Sequence, residues 1–277
     1  MTGRVEGKVA LITGAARGQG RSHALRLADE GADIIALDIA AQVESAPYPL
    51  ATPADLDETA REIKARGRRV VARQVDVRDG EALTAAVSEG VSELGRLDIV
   101  SANAGILSIG PSFELTEQTW TEMIDINLSG SWRTTKAAIP HMIAAGNGGS
   151  IVLTSSIAGL IAQPGLAHYV SAKHGVVGLM KTLALELAPF NIRVNSVHPT
   201  NVDTDMIQNE PTYRVFLPDD PNPTREKFAV PATEMNALAI PWIESIDVTN
   251  AVLFLASDEA RYITGVSLPI DAGASIK

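Results

Sequence analysis

Short apolar runs and amphipathic stretches alternate from one end of the chain to the other. The runs at Val9–Thr13, Asp33–Leu37, Arg69–Val75, Leu97–Ser101, Ser150–Thr154, Arg193–Val197 and Val266–Ile270 have strand length. Several are β-branched and bounded by Gly, Asp or Asn, as buried strands are. Between them, apolar positions recur with helical spacing over Gly20–Glu30, Asp55–Arg66, Glu81–Leu94, Glu117–Ala138, Ala167–Leu187 and Ile246–Ala256. Thr52 offers the second of these an N-cap and Pro53 a first-turn proline, and Gly67 stops it after Arg66. This alternation predicts an α/β fold: a single domain over residues 1–277, with a doubly wound parallel sheet of about seven strands flanked by helices.

Two segments break the rhythm. Residues 40–53 (AAQVESAPYPLATP) lie between the second strand and its helix, too long and proline-rich for an ordinary βα loop, and are expected to cover something. Residues 203–241 carry Pro211, Pro218, Pro221, Pro223 and Pro231. An extended surface loop is one reading. A position after a strand's carboxyl end favours the other, a substrate lid.

Composition narrows the function classes. Aromatic residues make up only 4%, so the core is built mainly from Ala, Val, Ile and Leu. A formal net charge of −10 repels phosphate backbones and anionic lipid, which speaks against nucleic acid and membrane partners. With no cysteine, disulfide and thiolate chemistry are excluded. The apolar run after the polar TGRVEGK is too short for a signal-peptide core, so a cytoplasmic location is expected. The five histidines are scattered without metal-ligand spacing, and no metal is expected; His168, beside Tyr169, reads as a helix-surface residue that could instead border a pocket.

One end of the predicted sheet carries the signs of a dinucleotide site. Thr13-Gly14-Ala15-Ala16-Arg17-Gly18-Gln19-Gly20 follows the first strand and opens a helix, where a glycine-rich turn lets backbone approach a pyrophosphate. Asp38 closes the second strand; a carboxylate there accepts from ribose hydroxyls and repels a 2′-phosphate, which points to NAD. Arg17 argues the other way if its guanidinium meets such a phosphate, and is otherwise solvated. Asp76-Val77 either holds the adenine, through the carboxylate and a backbone amide, or caps a helix. Asn103-Ala104-Gly105 ends the fourth strand with small residues against which a cofactor can lie.

A second group carries chemistry. Tyr169 and Lys173 are four apart on a predicted helix and share one face. An ammonium beside a phenol lowers its pKa and tunes it to take or return an alcohol proton. Ser156 ends the fifth strand thirteen residues before Tyr169, where its hydroxyl can orient a substrate oxygen. Asn127, mid-helix against its propensity, can anchor a water that links Lys173 to solvent.

TGAARGQG, ANAG (Ala102–Gly105), Asn127, Ser156 and YVSAK (Tyr169–Lys173), in this order and spacing, resemble the short-chain dehydrogenase/reductase family from about Lys8 to Ala272. The resemblance implies a single-domain Rossmann fold, NAD(P) binding, the catalytic tetrad Asn127-Ser156-Tyr169-Lys173 and a homotetramer. It extends the cofactor set to Ile39, Pro199, Val202 and Thr204, beside Tyr169 and Lys173 themselves. Ala102 and Thr200 depart from it, standing where Asn and Gly are usual. The insert after Asp38, with VHPTNVDTDM (Val197–Met206), is similar to the mycofactocin-associated, carveol-dehydrogenase-like branch from actinobacteria. That branch implies a retained NAD recycled by an external redox partner, and terpene-like secondary alcohols as substrates. A 3-oxoacyl or ketosteroid reductase is the alternative on this scaffold, and a non-enzymatic nucleotide-binding scaffold the alternative in another class.

Overall fold

The computed structural model describes residues 3–277. Seven parallel strands form one sheet in the order β3-β2-β1-β4-β5-β6-β7. They are β1 (Val9–Thr13), β2 (Asp33–Asp38), β3 (Val70–Gln74), β4 (Ile99–Ala102), β5 (Gly149–Thr154), β6 (Ile192–Pro199) and β7 (Ser267–Ile270). The predicted doubly wound sheet is present, with strand ends moved by one or two residues.

The two-residue repeat of a strand divides the core between two faces. Val9 and Leu11 of β1, with Ile35 and Leu37 of β2, join one apolar cluster. Ala10, Ile12, Ile34 and Ala36 join the other. The first face is covered by α3 (Gly80–Leu94), α5 (Gly130–Ala145) and α6 (Ala167–Leu187), the second by α1 (Gly18–Asp29), α2 (Pro53–Ala65) and α9 (Ser245–Ala256). Thr52 caps α2 in a reciprocal box with Asp55, and Pro53 opens the helix, as its sequence predicts.

One expected helix differs. Glu117–Ala138 is not a single regular element: α4 (Glu117–Ile124) passes through a π turn at Asp125–Ser129 into α5, which runs on to Ala145. The wider turn shifts the helical phase by a residue, which apolar spacing alone does not reveal. A second difference concerns residues 203–241, where an extended loop was one reading. Two helices form there, α7 (Glu210–Phe216) and α8 (Arg225–Met235). Phe228 is fully buried at their junction with Tyr213, Phe216 and Trp242 around it. The segment is closed at its neck: Val202 bridges Ile243, with Asp203 N–H to Ile243 O and Ile243 N–H to Asn201 O both at 2.9 Å.

Strand order reverses between β1 and β4, and the crevice at their carboxyl ends is where such sheets bind ligands. Among the described residues no helix is long and apolar enough to cross a membrane.

Candidate active site

The crevice is a cavity of about 720 Å³, and every site residue nominated by the sequence lines it. At one end the chain leaves β1 through Gly14, whose φ of +69° is open to glycine and strained for other residues. No side chain caps the first turn of α1, so its N-terminal amides face the cavity. Asn103 ties this end together, with Nδ2 donating to Thr13 O (3.2 Å) while the Thr13 hydroxyl accepts from the Asn103 (3.1 Å) and Ala104 (3.2 Å) amides.

Asp38 is buried at the end of β2, its carboxylate accepting the amides of Ala16 (2.9 Å) and Ala40 (2.8 Å). Burial raises its pKa, opposed by those two amides and by the Arg17 charge. The carboxylate lines the cavity with lone pairs to spare for further donors. An uncapped helix end and a buried carboxylate, one after each of the first two strands, fit a pyrophosphate and an adenosine ribose.

Arg17 is partly exposed at the rim of the cleft. Its guanidinium pairs with Asp205 at 2.8 Å and donates to Pro49 O, bridging the 40–52 insert to the chain after β6. Asp76 is engaged by Arg78 at 2.6 Å, and the cap of α3 is Asp79. Ile39 and Val77 pack in the apolar cluster under the insert.

At the other end, β5, the turn after it and α6 bring Ser156, Tyr169 and Lys173 to one wall. Lys173 is buried, donates to Thr154 O at 2.9 Å, and lies 5.5 Å from the Tyr169 ring centroid. Burial pushes the Tyr169 phenol up to about 12, with the Ser156 hydroxyl working against it, and brings the Lys173 ammonium down to about 8. The sequence expects the ammonium to lower the phenol; in the folded chain burial raises it, the Ser156 hydroxyl is what opposes that, and the lysine donates to a carbonyl.

Asn127 sits in the π turn, its Nδ2 donating to Ile106 O and Met123 O, both at 3.1 Å. Its Oδ1 is buried without a partner. A Cβ on Gly105 would fall 2.6 Å from that Oδ1 and 3.6 Å from Lys173 Nζ, so this glycine keeps open the space the two atoms share. Thr200 needs no positive φ; its hydroxyl donates to Asn236 Oδ1 at 3.1 Å. Pro199, Val202 and Thr204 continue the wall, and Thr204 approaches the glycine turn at Gly18.

His168 corrects its surface reading. It is fully buried, with Nε2 on Ser108 Oγ at 2.8 Å, and does not line the cavity. Side chains that sequence reasoning did not nominate also contribute. Val43, Tyr48 and Leu50 of the insert form part of the wall, with Met206, Thr212, Val215 and Phe216 from the chain after β6. Tyr48 accepts the Leu107 amide at 3.0 Å. The insert has no periodicity to expose this contact, whereas the cap signature Asn209-Glu210-Pro211 was available to reveal α7.

Residues 8–214 match the family model for short chain dehydrogenases. The chain belongs to that family. Among its members, (−)-trans-carveol dehydrogenase of Rhodococcus erythropolis is 60% identical over 275 residues, 99% of both chains. A crystal structure of carveol dehydrogenase from Mycobacterium avium in complex with NAD superposes with a TM-score of 0.99 at 57% identity, covering 100% of both chains. A short chain dehydrogenase from Mycobacterium paratuberculosis bound to NAD gives 0.92 at 43% identity, over 99% of this chain and 100% of that one. Likeness to these dehydrogenases thus extends over the insert and both helices beyond β6.

Proposed function

We propose that this dehydrogenase binds NAD and interconverts a secondary alcohol, carveol-like or another cyclic terpene alcohol, with its ketone. The observation that carries this reading is a single cavity, running from the uncapped N-terminus of α1 and Asp38 to Ser156, Tyr169 and Lys173. The carveol dehydrogenases of similar length and fold support the substrate class. So does the apolar chemistry of Ile109, Ile157, Met206, Val215 and Phe216 in the cavity wall.

Bound in the cleft, the nicotinamide supplies the hydride acceptor or donor. Ser156 orients the substrate oxygen through its hydroxyl, and Tyr169 takes or returns the proton at its phenol oxygen. Asn127 Oδ1 holds a water on the path between Lys173 and solvent. Gly14, Gly18, Gln19 and Gly20 receive the pyrophosphate, Asp38 and Ile39 the adenosine ribose, and Asp76 and Val77 the adenine. Asn103, Ala104, Gly105, Pro199, Val202 and Thr204 flank the nicotinamide half. The insert retains the cofactor, Arg17 ties it down, and residues 203–241 act as the substrate lid. A retained NAD requires an external, mycofactocin-type redox partner; a cytoplasmic homotetramer completes the reading.

The test is to purify the protein without nucleotide, denature a portion and identify what it releases, while folded enzyme meets a panel of cyclic secondary alcohols. Released NAD, with a single-turnover rise in reduced-nicotinamide absorbance and no cycling by free NAD, supports a retained cofactor. An empty protein that cycles freely with added NAD removes the retention and redox-partner reading but leaves the dehydrogenase. Tyr169→Phe is expected to abolish turnover with NAD content unchanged; near wild-type turnover overturns the acid/base assignment. With the phenol held near 12, alcohol oxidation should climb with pH through the alkaline range, because it needs the phenolate. Ketone reduction, which needs the phenol, should stay level near neutrality. Asp38→Ala is expected to erode the preference for NAD over NADP, and an unchanged ratio removes the ribose argument.

A further inference from the structure

The ladder between β5 and β6 ends one residue before Ser156. Thr154 is paired with Val197, and Ser155 N–H still donates to Val197 O at 2.9 Å. Ser156 itself is extended (φ −167°, ψ 168°), and its chain then turns away through Ile157–Gly159. At this departure a side chain continues the ladder: His198 Nδ1 lies 2.8 Å from Ser156 O.

A carbonyl oxygen only accepts, so Nδ1 carries the proton. Nε2, left with its lone pair, accepts from the Ser196 hydroxyl at 2.8 Å. The imidazole is fully buried and its tautomer is fixed by a partner on each nitrogen. The second lone pair of Ser156 O takes the Gly159 N–H at 2.9 Å, which closes the turn but does not anchor it to the sheet. Next door, the Ser155 hydroxyl donates to Lys173 O at 3.0 Å. Ser156 therefore hangs between a tie to α6 on one side and a tie to β6 on the other.

We propose that His198 is a positioning residue for the reaction: it holds the Ser156 backbone against β6 and so sets where the Ser156 hydroxyl meets the substrate oxygen. The inference rests on the reading of Ser156 given above. Reacting groups displaced by about 1 Å lose as much as ~10²-fold in rate. Without His198 the ties at Ser155 remain, but the Ser156 carbonyl keeps only the bond internal to its turn, which leaves Ser156 that freedom.

The full-length enzyme with its bound nucleotide is the material for the test, using an alcohol the wild type oxidises. His198→Leu is expected to lower kcat by about tenfold or more with KM and NAD content little changed, since what is lost is alignment. His198→Asn, whose amide NH2 can reach the same carbonyl, should recover kcat to within about threefold of wild type. In a Ser156→Ala background, His198→Leu should cost nothing further, because the histidine acts only through that serine. The alkaline limb of alcohol oxidation should also move to higher pH in His198→Leu, as the Ser156 hydroxyl that eases Tyr169 ionisation is displaced. Lys173, His174 and Asp271 are the charged or titratable groups acting on His198, and the substitution leaves them in place.

Wild-type kcat in His198→Leu, an equal loss in His198→Asn, or additive losses with Ser156→Ala would each overturn the proposal. If His198→Leu does not fold, Ser196→Ala decides, because it removes the donor that fixes the tautomer; an intermediate loss of kcat supports the positioning role and no loss overturns it. Full turnover in Ser156→Ala alone would remove the Ser156 reading and this proposal together. An inactive Ser156→Ala beside an unimpaired His198→Leu would remove this proposal only.

Discussion

Residues 40–52 and 203–241 both lean over the same cleft, yet the first has no regular secondary structure while the second folds two helices round Phe228. The insert is organised by one polar side chain. Gln42 Nε2 shares its two N–H groups among the carbonyls of Val43, Ala46 and Tyr48, each 3.1 Å away, and its Oε1 accepts the Leu50 amide at 3.0 Å. The longer segment is organised by aromatic contact, with Tyr213, Phe216 and Trp242 rings 5.0 to 6.0 Å from Phe228 and Arg225 stacked 4.8 Å over Trp242. A dozen or so residues cannot bury a core of their own, so a polar hub satisfies the backbone and the apolar side chains lean on the main body. About forty residues can enclose a small core, and they do.

That difference makes the two coverings fail differently. Phe228→Ala empties the centre of the longer one and is expected to cost about 3–5 kcal/mol. Limited proteolysis should then cut within 203–241 while the insert stays protected, and turnover should fall with NAD still bound. Loss of both would mean that the coverings are one cooperative unit, and protection of both would mean that Phe228 does not hold the longer one.

Tyr48→Phe tests the insert at its contact with the substrate end. The Leu107 amide loses its acceptor, at about 1–3 kcal/mol, and thermal unfolding should register part of it. The sharper reading is kinetic: KM for the alcohol should rise more than kcat falls, because Leu107 belongs to the cavity wall. The smallest effect belongs to Arg17→Met. Its partly exposed pair with Asp205 is worth roughly 0–1 kcal/mol, so stability should barely move. Nucleotide release should nevertheless quicken, since this guanidinium is a contact that both coverings share. Salt should mimic the substitution in the wild type and have no further effect in the variant.

The sheet and the cleft were legible because their signals are periodic or fixed in spacing. Apolar runs at strand length mark β1 to β7, Gly14 to Gly20 stand between a strand and a helix, and Tyr169 and Lys173 are one helical turn apart. What escaped is set by long-range packing. Asn127 reads as a mid-helix residue because a π turn leaves no mark in the polar pattern. His168 reads as a surface residue because nothing local tells that Ser108, sixty residues earlier, meets its ring. Arg17 could not be assigned because its partners, Pro49 and Asp205, lie on the two segments without periodicity. Burial, too, is invisible to spacing, and burial is what raises the Tyr169 phenol.

The closed neck between Val202 and Ile243 has a consequence for engineering. Because the chain leaves and returns at adjacent backbone positions, the stretch from 206 to 242 can be exchanged as a cassette that keeps Thr204 in the cleft wall and Asp205 as the partner of Arg17. A donor block of different length needs to preserve the paired backbone at Val202 and Ile243, leaving the glycine turn, Asp38 and Tyr169 untouched. Libraries aimed at bulkier or more polar alcohols should therefore be built by transplanting this block whole rather than by scattering point changes through it.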